Sequence, residues 1–99
     1  MRRIDAMKRN RNGTLVYMVI RDTKAETVSV FQESPNGGGG RMHCRTYSYS
    51  GREEMQRKGW LTEERAVRKA ILMATALSKM ADAELLKQID NVRRFGEVR

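Results

Sequence analysis

The sequence predicts an α+β domain: a three-stranded antiparallel sheet packed against a long C-terminal helix, or against two consecutive helices. Three observations carry this. Three short segments before residue 51 are β-branched, aromatic and alternating, as strands are. A loop with the chain's single proline and four consecutive glycines separates the second of these from the third. Beyond residue 61, Val67, Ile71, Ala74, Leu77, Ala81, Leu85, Ile89 and Val92 recur at gaps of three or four, the spacing of one helical stripe.

The elements follow in order. Residues 1–13 have no sustained period and are rich in Arg, Lys and Asn, so they read as a flexible basic arm ending at the Asn12-Gly13 turn signal. Residues 14–99 form the single domain. Thr14 to Arg21 is the first strand, with Val16, Met18 and Ile20 on one face and Leu15, Tyr17, Val19 and Arg21 on the other. Asp22 to Ala25 supplies a turn into a hairpin partner, Glu26 to Gln32. There Val28 and Val30 face the helix, and Thr27, Ser29 and Phe31 point away. Ser34 to Gly40 is a flexible loop, because a glycine run has high backbone entropy and nothing to pack. It is followed by a strand and lacks a Lys-Ser or Lys-Thr pair, so it does not meet the requirements of a phosphate loop. The third strand, Arg41 to Ser50, places Met42, Cys44, Thr46 and Ser48 on one face and His43, Arg45, Tyr47 and Tyr49 on the other. The sheet thus spans 14–50.

Residues 51–61 form a charged connection with room for one helical turn. Thr62 then caps the helical region 62–95, Glu63 and Glu64 complement the helix dipole, and Leu61 is placed to staple onto Ala66. A continuous helix of about 33 residues would run roughly 50 Å, long for so small a domain. Asp82 offers a cap for a second helix after a break near Ala81. In either form Leu85, Leu86, Ile89 and Val92 exceed what this chain can cover, and a homodimer through that half is expected.

Composition narrows the function. Ninety-nine residues make one domain with a small core. No apolar run nears the roughly 18 residues of a membrane span, and Met1-Arg2-Arg3 leads into no signal-type core. A lone Cys44 permits no internal disulfide, which fits a reducing cytoplasm. His43 and Cys44 are the only residues of their kinds, too few for a His/Cys zinc site within one chain. Neighbours on a strand point to opposite faces, so these two do not form a nucleophile–base pair. No catalytic set, metal site or cofactor motif emerges, and the expectation is a protein that is not an enzyme.

The net charge of +8 is unevenly placed. Residues 1–12 hold five basic side chains against one acidic, and residues 41–60 hold five against two. Such asymmetry is the footprint of a polyanion partner. The face His43, Arg45, Tyr47, Tyr49 interleaves rings with cations, as surfaces that stack bases and meet phosphates do. The expected nucleic-acid-binding residues are Arg9, Arg11, Arg45, Tyr47, Tyr49, Arg52, Arg57, Lys58, Arg65 and Lys69, and the partner is DNA or RNA. The same Tyr and Arg content suits two other roles: cross-strand packing alone, or a protein interface. The alternative function is therefore a small inhibitor or adaptor that binds a protein or nucleoprotein complex, such as a phage or mobile-element protein countering host defence, with Tyr17, Tyr47, Tyr49 and Trp60 in the interface.

Overall fold

The computed structural model describes residues 1–34 and 40–79. They form an α+β fold in which a four-stranded antiparallel sheet is followed by two helices. The strands are β1 (Arg2–Arg9), β2 (Leu15–Asp22), β3 (Thr27–Glu33) and β4 (Arg41–Ser48), paired in chain order as a meander. The helices are α1 (Glu53–Arg57) and α2 (residues 63–79). Residues 35–39 of the glycine loop, the course of the chain from 80 to 95 and the expected interface Leu85, Leu86, Ile89 and Val92 lie outside the described residues.

The sheet has one strand more than expected. Residues 2–9, read as an arm, are an edge strand that pairs with β2 from Arg2↔Asp22 to Arg9↔Leu15. The Asn12-Gly13 signal marks a hairpin turn instead of the end of an arm. Thr14 N–H donates to the side-chain oxygens of both Asn10 and Asn12, and Gly13 takes the left-handed φ of +86°. Opposite the hairpin, Asp22 accepts from the Lys24 and Ala25 amides at 3.0 Å each and shapes the β2–β3 turn. Those amide bonds, Ala25's first, hold the Asp22 carboxyl below its usual range.

Both edge strands carry a bulge. In β1, Ile4 pairs with Ile20 and Ala6 with Val19, so Asp5 is the extra residue. In β4, His43 pairs with Phe31 and Arg45 with Val30, so Cys44 is extra. A bulge sets two consecutive side chains against one partner, which breaks the strict alternation that a sequence reading assumes.

One face of the sheet packs on α2. Val19, Val28 and Val30 are fully buried there against Ala66, Ala70 and Ala74, with Tyr49 completing the cluster. The helix meets the sheet through alanines at every fourth position, continued by buried Ser78, and small side chains let the two backbones approach closely. This differs from the expected stripe: Ala74 and Leu77 face the sheet and Val67 flanks it, but Ile71 is 37% exposed. Each buried valine contributes about 1.5–3 kcal/mol of transfer free energy.

The helix starts where expected. Thr62 accepts the Arg65 amide on its hydroxyl at 3.2 Å and the Ala66 amide on its carbonyl at 2.9 Å. Ahead of it, α1 ends in a Schellman motif. Gly59, at φ +104°, donates to the Gln56 carbonyl, and Trp60 donates to that of Met55. This closure turns Leu61 toward the core, where it bridges Tyr49, and leaves Trp60 46% exposed.

Candidate functional site

The β1 bulge builds a multidentate charged contact that joins three elements. Arg21 on β2 donates to both oxygens of Asp5, at 2.9 and 2.6 Å, and to Glu63 in the first turn of α2 at 2.7 Å. Arg3 approaches the same Asp5 at 3.2 Å. The Asp5 side chain is 5% exposed and that of Arg21 16%. The bonds to Asp5, then Glu63, hold the guanidinium yet more firmly protonated than usual. Three guanidinium N–H groups and both Asp5 oxygens are engaged within the protein, so the cluster acts as a clamp joining β1, β2 and α2.

The β4 bulge splits the expected binding face. Arg45, opposite Val30, lies on the helix side, where Tyr47 packs half-buried against the core with the Arg45 guanidinium 5.2 Å from its ring centre. Tyr49 is 4% exposed and belongs to the core, and its phenol is pushed up by that burial. Tyr17 packs there too. None of these rings joins His43, which sits on the opposite face. The interleaved set His43, Arg45, Tyr47, Tyr49 is therefore not one surface, and Tyr49 has no face to offer a ligand.

The opposite face holds a different constellation. Phe31 and His43, paired across β3 and β4, meet edge to face with centroids 5.5 Å apart. The Arg41 guanidinium lies 5.9 Å from the Phe31 ring centre and donates to Met18 Sδ at 3.2 Å. His43 Nε2 hydrogen-bonds Thr46 Oγ1 at 2.6 Å, and that hydroxyl bonds Ser29 Oγ at 2.8 Å. Toward β1 the face continues through Ile20 to Ile4 and Met7, which are 55% and 48% exposed. Arg2 and Asp22 close one end, their charged groups 3.7 Å apart. No helix among the described residues covers this face. It combines a ring pair of half-buried Phe31 and exposed His43, a hydroxyl row and cations at two margins.

The other expected contacts are spread around the molecule. Arg9 donates to the Gly13 carbonyl, and Arg11 lies in the β1–β2 turn. Arg52 occupies the N-cap position of α1 without a side-chain cap bond, while Arg57 and Lys58 reach Glu53 and Glu54 at 3.0 and 3.9 Å. Arg65 and Lys69 are exposed on α2. Arg57, Trp60, Arg65 and Arg68 border an open groove of about 480 Å³ between the helices, in which Glu53 and Glu64 pair with Arg57 and Arg68. These cations do not adjoin Phe31 and His43 within any strand pairing.

Sequence reasoning missed Arg2, Arg41, Ser29 and Thr46 as a group. The alternation of β3 already turned Thr27, Ser29 and Phe31 away from the helix; the lacking signal was the bulge at Cys44. Burial raises the Cys44 thiol above its ordinary range. Among the described residues no group of three or more His, Cys, Asp or Glu side chains could hold a metal ion. No helix there is long and apolar enough to cross a membrane. Comparison with protein-family models, with curated proteins and with solved structures finds no match to this chain.

Proposed function

We propose that this is a non-enzymatic nucleic-acid-binding protein that lays a single strand across the sheet face opposite α2, in a regulatory role. The observation that carries the reading is the Phe31–His43 ring pair beside the Arg41 guanidinium. Bases stack on rings of this kind whatever their sequence, and an adjoining guanidinium meets the phosphate. The net charge of +8 supplies attraction at a distance. Arg9, Arg11, Arg52, Arg57, Lys58, Arg65 and Lys69 act in that general field, and Arg45 and Tyr47 at most along the β4 edge.

Fluorescence anisotropy with single-stranded DNA and RNA oligonucleotides at two salt concentrations tests this. Binding should weaken with salt, because each neutralised phosphate releases counterion. Phe31→Ala should cost about 1–3 kcal/mol, the worth of one stacked base. Weak binding of equal strength in wild type and Phe31→Ala would defeat the reading. In that event the exposed Ile4, Met7 and Trp60 favour the second reading, an inhibitor or adaptor that docks on a protein complex. A pull-down with an Ile4→Asp/Met7→Asp control tests that one.

A further inference from the structure

The sheet face opposite α2 contains a slot of about 120 Å³ lined by Arg2, Ile20, Asp22, Thr27, Ser29 and Phe31. Its walls differ in kind. Phe31 and Ile20 offer apolar surface, Thr27 and Ser29 offer hydroxyls from alternate positions of β3, and Arg2 and Asp22 offer opposite charges at one end. A carboxylate is an odd feature beside a phosphate-binding surface, since it repels the backbone of any nucleic acid. It is well suited to a base edge that carries N–H donors.

Resting on the proposed nucleic-acid reading, we infer that this slot receives one unpaired nucleobase and that Arg2 and Asp22 select guanine. The donor and acceptor inventory carries the inference. Asp22 Oδ1 is occupied by the Lys24 and Ala25 amides. Oδ2 lies 3.7 Å from Arg2 Nε, too far for a hydrogen bond, and keeps its acceptor capacity. The pairing edge of guanine presents a carbonyl acceptor followed by two adjacent N–H donors. Arg2 donates to the carbonyl, Asp22 Oδ2 accepts from the ring N–H, and a hydroxyl of Thr27 or Ser29 accepts from the exocyclic amine. Adenine and cytosine present a bare ring nitrogen at the central position, where it faces the carboxylate lone pairs. Uracil and thymine have the ring N–H but a carbonyl in place of the amine. Guanine alone matches all three groups. The Lys24 and Ala25 amide bonds also keep Asp22 ionised through the physiological range, so the acceptor persists.

The test uses the full chain and short uridine-rich RNA and thymidine-rich DNA oligonucleotides that differ at one central nucleotide. Guanine at that place should bind roughly tenfold or more tighter than adenine, cytosine, or uracil or thymine. Hypoxanthine, which lacks only the exocyclic amine, should fall between. Asp22→Asn keeps the Oδ1 acceptor of the turn and replaces Oδ2 with a donor. It should erase the guanine preference, weakening guanine and strengthening adenine and cytosine, whose bare ring nitrogen then meets a donor. Binding with no preference among the bases, or a preference that Asp22→Asn leaves intact, overturns the inference but not the underlying reading. Absence of binding to every oligonucleotide overturns both. Hypoxanthine keeps the carbonyl and ring N–H that meet Arg2 and Asp22, so hypoxanthine binding no tighter than adenine overturns the inference even if Asp22→Asn fails to fold.

Discussion

Replacing Arg21 tests how β1, the strand least visible in the sequence, is held. Arg21 makes two charge-assisted bonds to Asp5 and one to Glu63. Arg21→Ala strands the Asp5 carboxylate, 5% exposed, with only Arg3 nearby. Breaking a buried pair from one side costs about 3–5 kcal/mol. Arg3 remains at 3.2 Å, and Glu63, 40% exposed, regains water, so the loss belongs at the low end, about 3 kcal/mol. For a domain this small that lowers Tm by roughly 12–24 °C. Arg21→Lys keeps the charge but not the two-pronged geometry and should lose about half as much. Asp5→Ala removes the stranded charge, so the Arg21→Ala/Asp5→Ala double variant should recover about 2 kcal/mol relative to the sum of the singles. Urea denaturation followed by circular dichroism reads all four. An Arg21→Ala loss below 1 kcal/mol, or strict additivity in the cycle, would refute the clamp.

Two further expectations concern the core. Ala70→Leu forces three extra carbons into the fully buried contact between α2 and the valines and should cost about 1–3 kcal/mol, whereas Leu72→Gln, at a position 65% exposed, should change stability by less than about 0.5 kcal/mol. Burial raises the Tyr49 phenol above its unfolded value of about 10, so stability that is complete below pH 10 declines as pH rises beyond it. Urea midpoints between pH 9 and 11 should fall more steeply in wild type than in Tyr49→Phe; parallel curves would show that the ring is not buried as described.

The sheet and helix were legible wherever side chains rather than backbone carried the signal. The three expected strands match β2, β3 and β4 to within two residues, and Thr62 caps α2 as its sequence context implied. The inward Val28 and Val30 and outward Phe31 followed from simple alternation, because β3 has no bulged residue of its own. β1 was hidden because it holds its place by backbone pairing and the Asp5–Arg21 clamp. Among its hydrophobic residues only Ala6 packs on the core, and its exposed basic side chains are what a bare edge strand uses to discourage aggregation. The bulges at Asp5 and Cys44 had no glycine to announce them. The second one moved Arg45 to the helix side and left His43 with Phe31, which split the expected set of four between the two faces. In α2, hydropathy favoured the large residues, yet Ala66, Ala70 and Ala74 make the contact because only small side chains permit it.

Amide chemical shifts report directly on whether nucleic acid lies on the sheet face opposite α2. Titrating isotope-labelled protein with a short single-stranded oligonucleotide should move the signals of Ile20, Ser29, Phe31, Arg41, His43 and Thr46 together, with one saturation curve. The Ala66, Ala70 and Ala74 signals behind the sheet should stay in place. Shifts confined to α1 and α2, or no shift at any residue of β3 and β4 as the oligonucleotide reaches excess, would contradict that placement.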